Sequence, residues 1–143
     1  MIRAMGHLLD LVRAYYAACN AADADRLRAC FTADAAHYFT RLPPLHGDVA
    51  LAGAFAATQR RLDARWTVEH GLEAGDEAVS EWTMAWTHPA SGRRRLDRGT
   101  EWFAFTGDRI REIRAYHHSD AANRSGDLLG FDHAGRGHTV LAS

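Results

Sequence analysis

The sequence predicts an α+β fold in which three N-terminal helices roof one face of a curved, mostly antiparallel sheet and enclose a conical pocket. Apolar residues recur at helical spacing as far as Leu62, interrupted by one short strand-like run, and from Arg65 onward the period falls to two. A block of helices followed by a meander of strands gives segregated layers, not alternating βαβ units. Leu8, Leu9, Val12, Tyr15, Tyr16 and Cys19 place residues 7–21 in an amphipathic helix. Asp23 or Asp25 caps a second, short helix carrying Leu27, Cys30 and Phe31 and ending within residues 32–34. Residues 36–39 read as a short strand. Pro43-Pro44 breaks the pattern, and Asp48 starts a third, alanine-rich helix through Leu51 and Phe55 to Leu62.

Four longer strands follow. Trp66, Val68, His70 and Leu72 share one strand face, and the turn Gly75-Asp76 leads to a strand with Ser80, Trp82, Met84 and Trp86 on one face. A turn at residues 89–92 precedes a strand over residues 96–106, and Gly107-Asp108 is a hairpin signal before the last strand, residues 109–118. The final 25 residues are Gly- and Asp-rich, with a short helix expected near Leu128.

The chain has 143 residues, of which 47% are apolar and 24% charged, a composition that supports one domain with a core. All 17 basic residues are Arg and the net charge is −1, a balance that argues against nucleic acid as a partner. Without Lys there is no Schiff-base chemistry and no phosphate-loop amine, which leaves His, carboxylates and Tyr as the proton-moving groups. Cys19 and Cys30 are too few for a disulfide framework and lack zinc-site spacing, as expected of a cytoplasmic protein. Asp10 interrupts the only N-terminal apolar stretch, so no signal peptide is expected, and residues 49–58 are too short to cross a membrane. Neither an HxH nor an HExxH pattern occurs, so no metal is expected.

Residues 7–118 resemble the nuclear-transport-factor-2-like superfamily, in particular its polyketide-cyclase-like (SnoaL-like) branch. The likeness rests on Tyr15-Tyr16-Ala-Ala-Cys-Asn20-Ala-Ala-Asp23, on Cys30-Phe31-Thr-Ala-Asp34-Ala-Ala-His37-Tyr38-Phe39 and on Leu45-His-Gly47. Arg98-Gly-Thr-Glu101-Trp102-Phe103-Ala-Phe105 and Gly107-Asp-Arg-Ile110-Arg-Glu-Ile113-Arg114-Ala-Tyr116 continue it. The resemblance implies a single domain, a homodimer and no cofactor. It also places Tyr15 where ketosteroid-isomerase-like members carry a catalytic Tyr, and Glu101 where they carry a second acid. Phe39 stands where they keep the Asp base, so that reaction is not expected. The Asp-Arg-Asp set of epoxide-hydrolase-like members falls on Glu101, Gly99 and Ala115, which keeps one acid of the three. His70 falls near the first His of dehydratase-like members.

The same resemblance turns His37 and Phe39 inward on the first strand and Ile113, Ala115 and His117 inward on the last. His37 is then an imidazole in an apolar cavity, a candidate neutral base, or else a core His satisfied by its neighbours. Glu101 must pair, accept hydrogen bonds or stay protonated, either as an acid that orients a His or in a salt bridge to Arg98, Arg111 or Arg114. Tyr15 is an oxyanion donor or an aromatic core residue, and His70 a pocket group or a buried structural one. Phe39, Phe55, Trp66, Trp82, Phe103, Ile113 and His117 are the expected walls of a site for a small apolar, aromatic or polyketide-like molecule. The expected function is a cofactor-independent isomerase, dehydratase or cyclase using His37, Glu101, Tyr15 and His70. A noncatalytic binding or dimerisation module is the alternative, and an epoxide-hydrolase-like enzyme a further one.

Overall fold

The computed structural model describes residues 4–117 and 126–142. Helices α1 (His7–Asn20), α2 (Ala24–Ala29) and α3 (Asp48–Leu62) lie where the helical spacing puts them. Asp23 caps α2, its side chain accepting from the Arg26 N–H at 3.0 Å. Helix α1 starts after Gly6, which has no side chain to cap it. The Glu73 carboxylate reaches over from the sheet instead and accepts from the N–H groups of Gly6 at 3.0 Å and Leu9 at 2.8 Å. A negative charge there satisfies orphan donors at the positive end of the helix dipole.

Strands β1 (Phe31–Tyr38), β2 (Leu45–His46), β3 (Arg65–Ala74), β4 (Glu77–Thr87), β5 (Arg94–Thr106) and β6 (Arg109–His117) form one sheet. Its order is β2-β1-β6-β5-β4-β3, antiparallel throughout except for the parallel pair β1 and β6. The helices cover the inner face, as the fold class requires. Tyr15, Phe31, Phe103, Phe105, Ile110 and Ile113 are fully buried beneath them. At the end of α1 the Asn20 amide pairs with the backbone of Trp66 in both directions, donating to its C=O at 2.8 Å and accepting from its N–H at 2.7 Å. A side chain here completes β3 as a neighbouring strand would. Among the described residues no helix is long and apolar enough to cross a membrane.

Four expectations need correction. Helix α2 stops at Ala29, and Phe31 opens β1 because it lies opposite Ile110 with no exposed surface, so the strand is longer than residues 36–39. The two-residue strand β2 was not expected; it pairs with Ala36 and His37 directly after the proline break. On β3, Val68 lies opposite Trp82 but His70 lies opposite Glu81, a bulge that inserts Glu69 as an extra residue. One inserted residue exchanges the two faces for the rest of the strand. His70 and Leu72 are therefore exposed, and Glu73 turns in toward α1. No helix forms near Leu128; residues 126–142 run as turns and irregular chain, with Gly130 in the left-handed region at φ +77°.

That C-terminal segment lies on the outer face of the sheet. Asp127 accepts from Arg98 Nε at 2.5 Å, Arg98 in turn donates to Thr83 Oγ1 at 3.1 Å, and the Thr139 N–H donates to Glu69 at 2.8 Å. His138 sits against Glu81. His118, the expected last residue of the final strand, lies outside the described residues.

Replacing Asn20 by Ala strips two backbone partners from Trp66 without touching the cavity. Urea denaturation should show a loss of about 2 kcal/mol; a loss below about 0.5 kcal/mol would mean that water replaces the amide at this junction.

Candidate functional site

The cavity lies between α3, residues 39–44 and the inner face of the sheet, with a volume of about 700 Å³. Strand alternation builds its wall: His37 on β1, Trp82, Met84 and Trp86 on β4, Asp97 and Glu101 on β5, and Ala115 and His117 on β6. Helix α3 adds Phe55, Thr58 and Leu62, while Arg61 and the exposed Leu42, Pro43 and Pro44 finish the wall toward solvent.

Glu101 is the pivot. Its carboxyl is 5% exposed and accepts at Oε1 from the Tyr16 hydroxyl at 3.1 Å. Because that hydroxyl has one proton, Ser80 Oγ, 3.0 Å away, is left to donate to the Tyr16 oxygen. Burial, followed by the nearby Glu101 charge, pushes the Tyr16 phenol well above its ordinary value of 10.0. Tyr16 therefore stays protonated and acts as a donor at any physiological pH.

The other carboxylate oxygen, Oε2, stands 3.4 Å from His37 Nε2. His37 is 2% exposed, stacks on Phe39 with centroids 4.2 Å apart and meets the Phe55 ring at 5.0 Å. Its Nδ1 has no hydrogen-bond partner among the described residues, and neither has Glu101 Oε2. With its proton on Nε2, beside the carboxylate, the ring keeps a lone pair on Nδ1, and the neighbouring Glu101 would stabilise an imidazolium there.

A second polar group lies farther along β5. Asp97 is 8% exposed, and burial raises its carboxyl above the ordinary 3.8, against the opposing influence of the Trp86 side chain, His117 and Arg95. His117 lines the cavity with its ring 5.5 Å from that of Trp82, and Nδ1 of His117 and Nε1 of Trp82 both lack partners among the described residues. Gly99 between them makes this contact possible. A Cβ there would come within 2.5 Å of the Trp82 ring and 2.7 Å of the His117 Cβ.

Of the expected site residues, His37, Glu101, Phe39, Phe55, Trp66, Trp82 and His117 line the cavity. Tyr15 does not: its ring sits in the core between Phe31, Phe55 and Phe103 at 5.7, 6.1 and 5.8 Å, and its neighbour on α1, Tyr16, reaches Glu101. Phe103 and Ile113 are fully buried beneath α1, outside the cavity wall, and His70 is on the surface for the reason given above. Glu101 pairs with none of Arg98, Arg111 and Arg114; Arg98 points to the outer face. Asp97 was missed, although alternation from Glu101 through Gly99 gives its direction. Tyr16 and Ser80 carried no such signal, since both are common core residues at these positions. Among the described residues no cluster of three or more His, Cys, Asp and Glu is placed to hold a metal ion.

The family model described as SnoaL-like domain matches residues 12–113. No curated protein matches the chain. Among solved structures, a protein of unknown function with a cystatin-like fold from Methylobium petroleophilum PM1 is 28% identical, at a TM-score of 0.70 over 97% of this chain and 95% of that one. A putative polyketide cyclase from Xanthomonas campestris pv. campestris is 20% identical, with a TM-score of 0.71 over 78% of this chain and 90% of its own. A hypothetical protein with a ketosteroid isomerase-like fold from Catenulispora acidiphila DSM 44928, in complex with trimethylamine, is 17% identical at a TM-score of 0.70, covering 79% and 87% of the two chains.

Two outcomes follow from the site. In Tyr16→Phe, Glu101 loses its donor inside the core, at a cost of about 1–3 kcal/mol. Combined with Glu101→Gln the two losses should fall short of additivity by about 1 kcal/mol in a denaturation cycle; full additivity would show that the hydrogen bond contributes nothing. For Asp97, a raised carboxyl means that the folded state binds a proton more readily than the unfolded chain, so stability falls as pH rises through the folded value. Asp97→Asn should melt higher than the parent at pH 7, and the gap should close toward pH 4; a gap independent of pH would contradict the burial of this charge.

Proposed function

The chain belongs to the SnoaL-like domain family of the nuclear-transport-factor-2-like superfamily, and on that premise we propose that it is a cofactor-independent enzyme moving protons on a small apolar, aromatic substrate. His37 is the general base, Glu101 the carboxylate that orients it and stabilises its charged form, and Tyr16 with Ser80 holds Glu101 in place. The observation that carries this reading is the 3.4 Å approach of His37 Nε2 to Glu101 Oε2 within an aromatic-walled cavity, with Nδ1 left unpartnered. Base, orienting acid and buried donor chain are the parts that isomerisation, dehydration and cyclisation share. Positioned proton transfer of this kind contributes a factor of about 10²–10⁴ to rate.

A noncatalytic binding module predicts a cavity apolar throughout, with His37 and Glu101 each satisfied by structural partners. His37, Asp97, Glu101 and His117 in its wall speak against the first condition, and the unpartnered Nδ1 and Oε2 against the second. An epoxide-hydrolase-like reaction needs one water between two carboxylates. The other cavity carboxylate among the described residues, Asp97, stands four positions along β5 from Glu101, a Cα separation of about 13 Å in an extended strand.

Exchange of the acidic C1 protons of 2-tetralone in D₂O, followed by proton NMR, tests the chemistry on a bicyclic ketone of suitable size. The protein should accelerate exchange, and His37→Ala should slow it by about 10²–10⁴-fold while melting as a folded protein. Equal rates for the parent and His37→Ala would remove His37 from the mechanism.

A further inference from the structure

The unpartnered polar atoms of the cavity fall into two sets, and the proton-transfer reading uses only the first, His37 Nδ1 and Glu101 Oε2. The second set is Trp82 Nε1 and Trp86 Nε1 on β4 and His117 Nδ1 on β6, with Asp97 on β5 between these strands. The Trp82 side chain is 4% exposed and its indole N–H can only donate, so leaving it without an acceptor carries the cost of a desolvated donor. His117 faces the cavity opposite Gly99, within electrostatic reach of Asp97. Side-chain donors and a carboxylate acceptor in one stretch of the cavity wall suit a hydroxyl group, which accepts from the first and donates to the second.

We propose that Trp82, Asp97 and His117 form a second polar subsite that binds a hydroxyl at the far end of the substrate, so that the pocket favours aromatic molecules oxygenated at both ends. This deepens the reading of the preceding subsection and rests on it for the first polar contact. Asp97 and Glu101 point into the same cavity from the same strand with three residues between them, a Cα separation of about 13 Å. A molecule that meets both polar ends therefore carries an oxygen at each end of an apolar body, as a bicyclic aromatic diol does. The walls between these ends, Trp66, Trp82, Phe55 and Met84, offer apolar surface to such rings.

Isothermal titration calorimetry of the whole chain with 2-naphthol, 6-methoxy-2-naphthol and 2,6-dihydroxynaphthalene tests the subsite. The diol should bind about tenfold or more tightly than either of the others, because only it can place a donor against Asp97 while its first hydroxyl occupies the His37 end. In His117→Leu and in Trp82→Phe, which keeps an aromatic ring and loses the N–H, that advantage should shrink to about twofold or less. The readout is the ratio of the diol and 2-naphthol affinities, since Trp82 and His117 also wall the pocket for 2-naphthol. Thermal melting confirms that each variant is folded, and Trp82→Phe carries the test if His117→Leu is not. Equal affinities for the diol and 2-naphthol in the parent, or an undiminished diol preference in the folded variants, would overturn the subsite and leave the His37–Glu101 reading standing. Failure of all three naphthols to bind would overturn the aromatic-pocket reading and this proposal together.

Discussion

A carboxylate confined in an aromatic interior governs how the parts of this protein are placed. Burying a carboxyl costs several kcal/mol unless donors meet it; Glu101 receives the Tyr16 hydroxyl on one oxygen and faces His37 with the other. Tyr16 comes from α1, Ser80 from β4 by way of Tyr16, and His37 from β1. For Tyr16 to reach Glu101, α1 must lie over β4 and β5 with that residue turned to the sheet. The packing of Tyr15 and Tyr16 against Phe103, at 5.8 and 6.1 Å, holds the helix in that rotation. For His37 to reach it, β1 must align with β6 so that His37 falls opposite Ile113, while β6 places Ala115 opposite Glu101. One charge thus couples a helix rotation to two strand registers.

Much of this was legible in the sequence, and the failures share a cause. Hydrophobic period located the three helices and the four long strands, and the alternation Ser80, Trp82, Met84, Trp86 put on one face four residues of which three line the cavity, because β4 runs without a bulge. The same logic misplaced His70, since alternation carries no sign of an inserted residue and Glu69 reverses every direction after it. Tyr15 and Tyr16 show the helical counterpart of the problem. Both face the sheet, about 100° apart around the helix, and only the depth of Phe31, Phe55 and Phe103 beneath α1 decides that the first is core and the second reaches the carboxylate. Short elements such as β2 are held by their partners more than by their own residues, so two residues after a proline pair gave no periodic signal.

The two faces of the sheet have different occupants. Helices and cavity take the inner face, while the described C-terminal segment lies across the outer face of β3, β4 and β5 through Glu69, Glu81 and Arg98. Thr83 and Arg98, polar residues on that outer face, are buried beneath it at 1% and 9% exposure. Each is hydrogen-bonded: Arg98 to Asp127 and Thr83, as a buried guanidinium requires. The described part of the segment, residues 126–142, supplies no residue to the cavity wall; among the described residues, α3 and residues 39–44 line it toward solvent.

Two walls of the cavity can meet because the sheet leaves one position empty of side chain. Gly99 lies between Asp97 and Glu101 on the inner face of β5, opposite Trp82 on one side and His117 on the other. Any larger residue would collide with both, at 2.5 and 2.7 Å, and would push the Trp82 ring off the strand. With glycine in place, the indole and the imidazole lean over β5 and meet, with ring centroids 5.5 Å apart. A pocket of uniform apolar character would admit any oily molecule of the right volume and orient none of them. Buried polar atoms at two fixed depths do the opposite, because a ligand that leaves either end unpaired carries the desolvation cost of the groups it fails to meet.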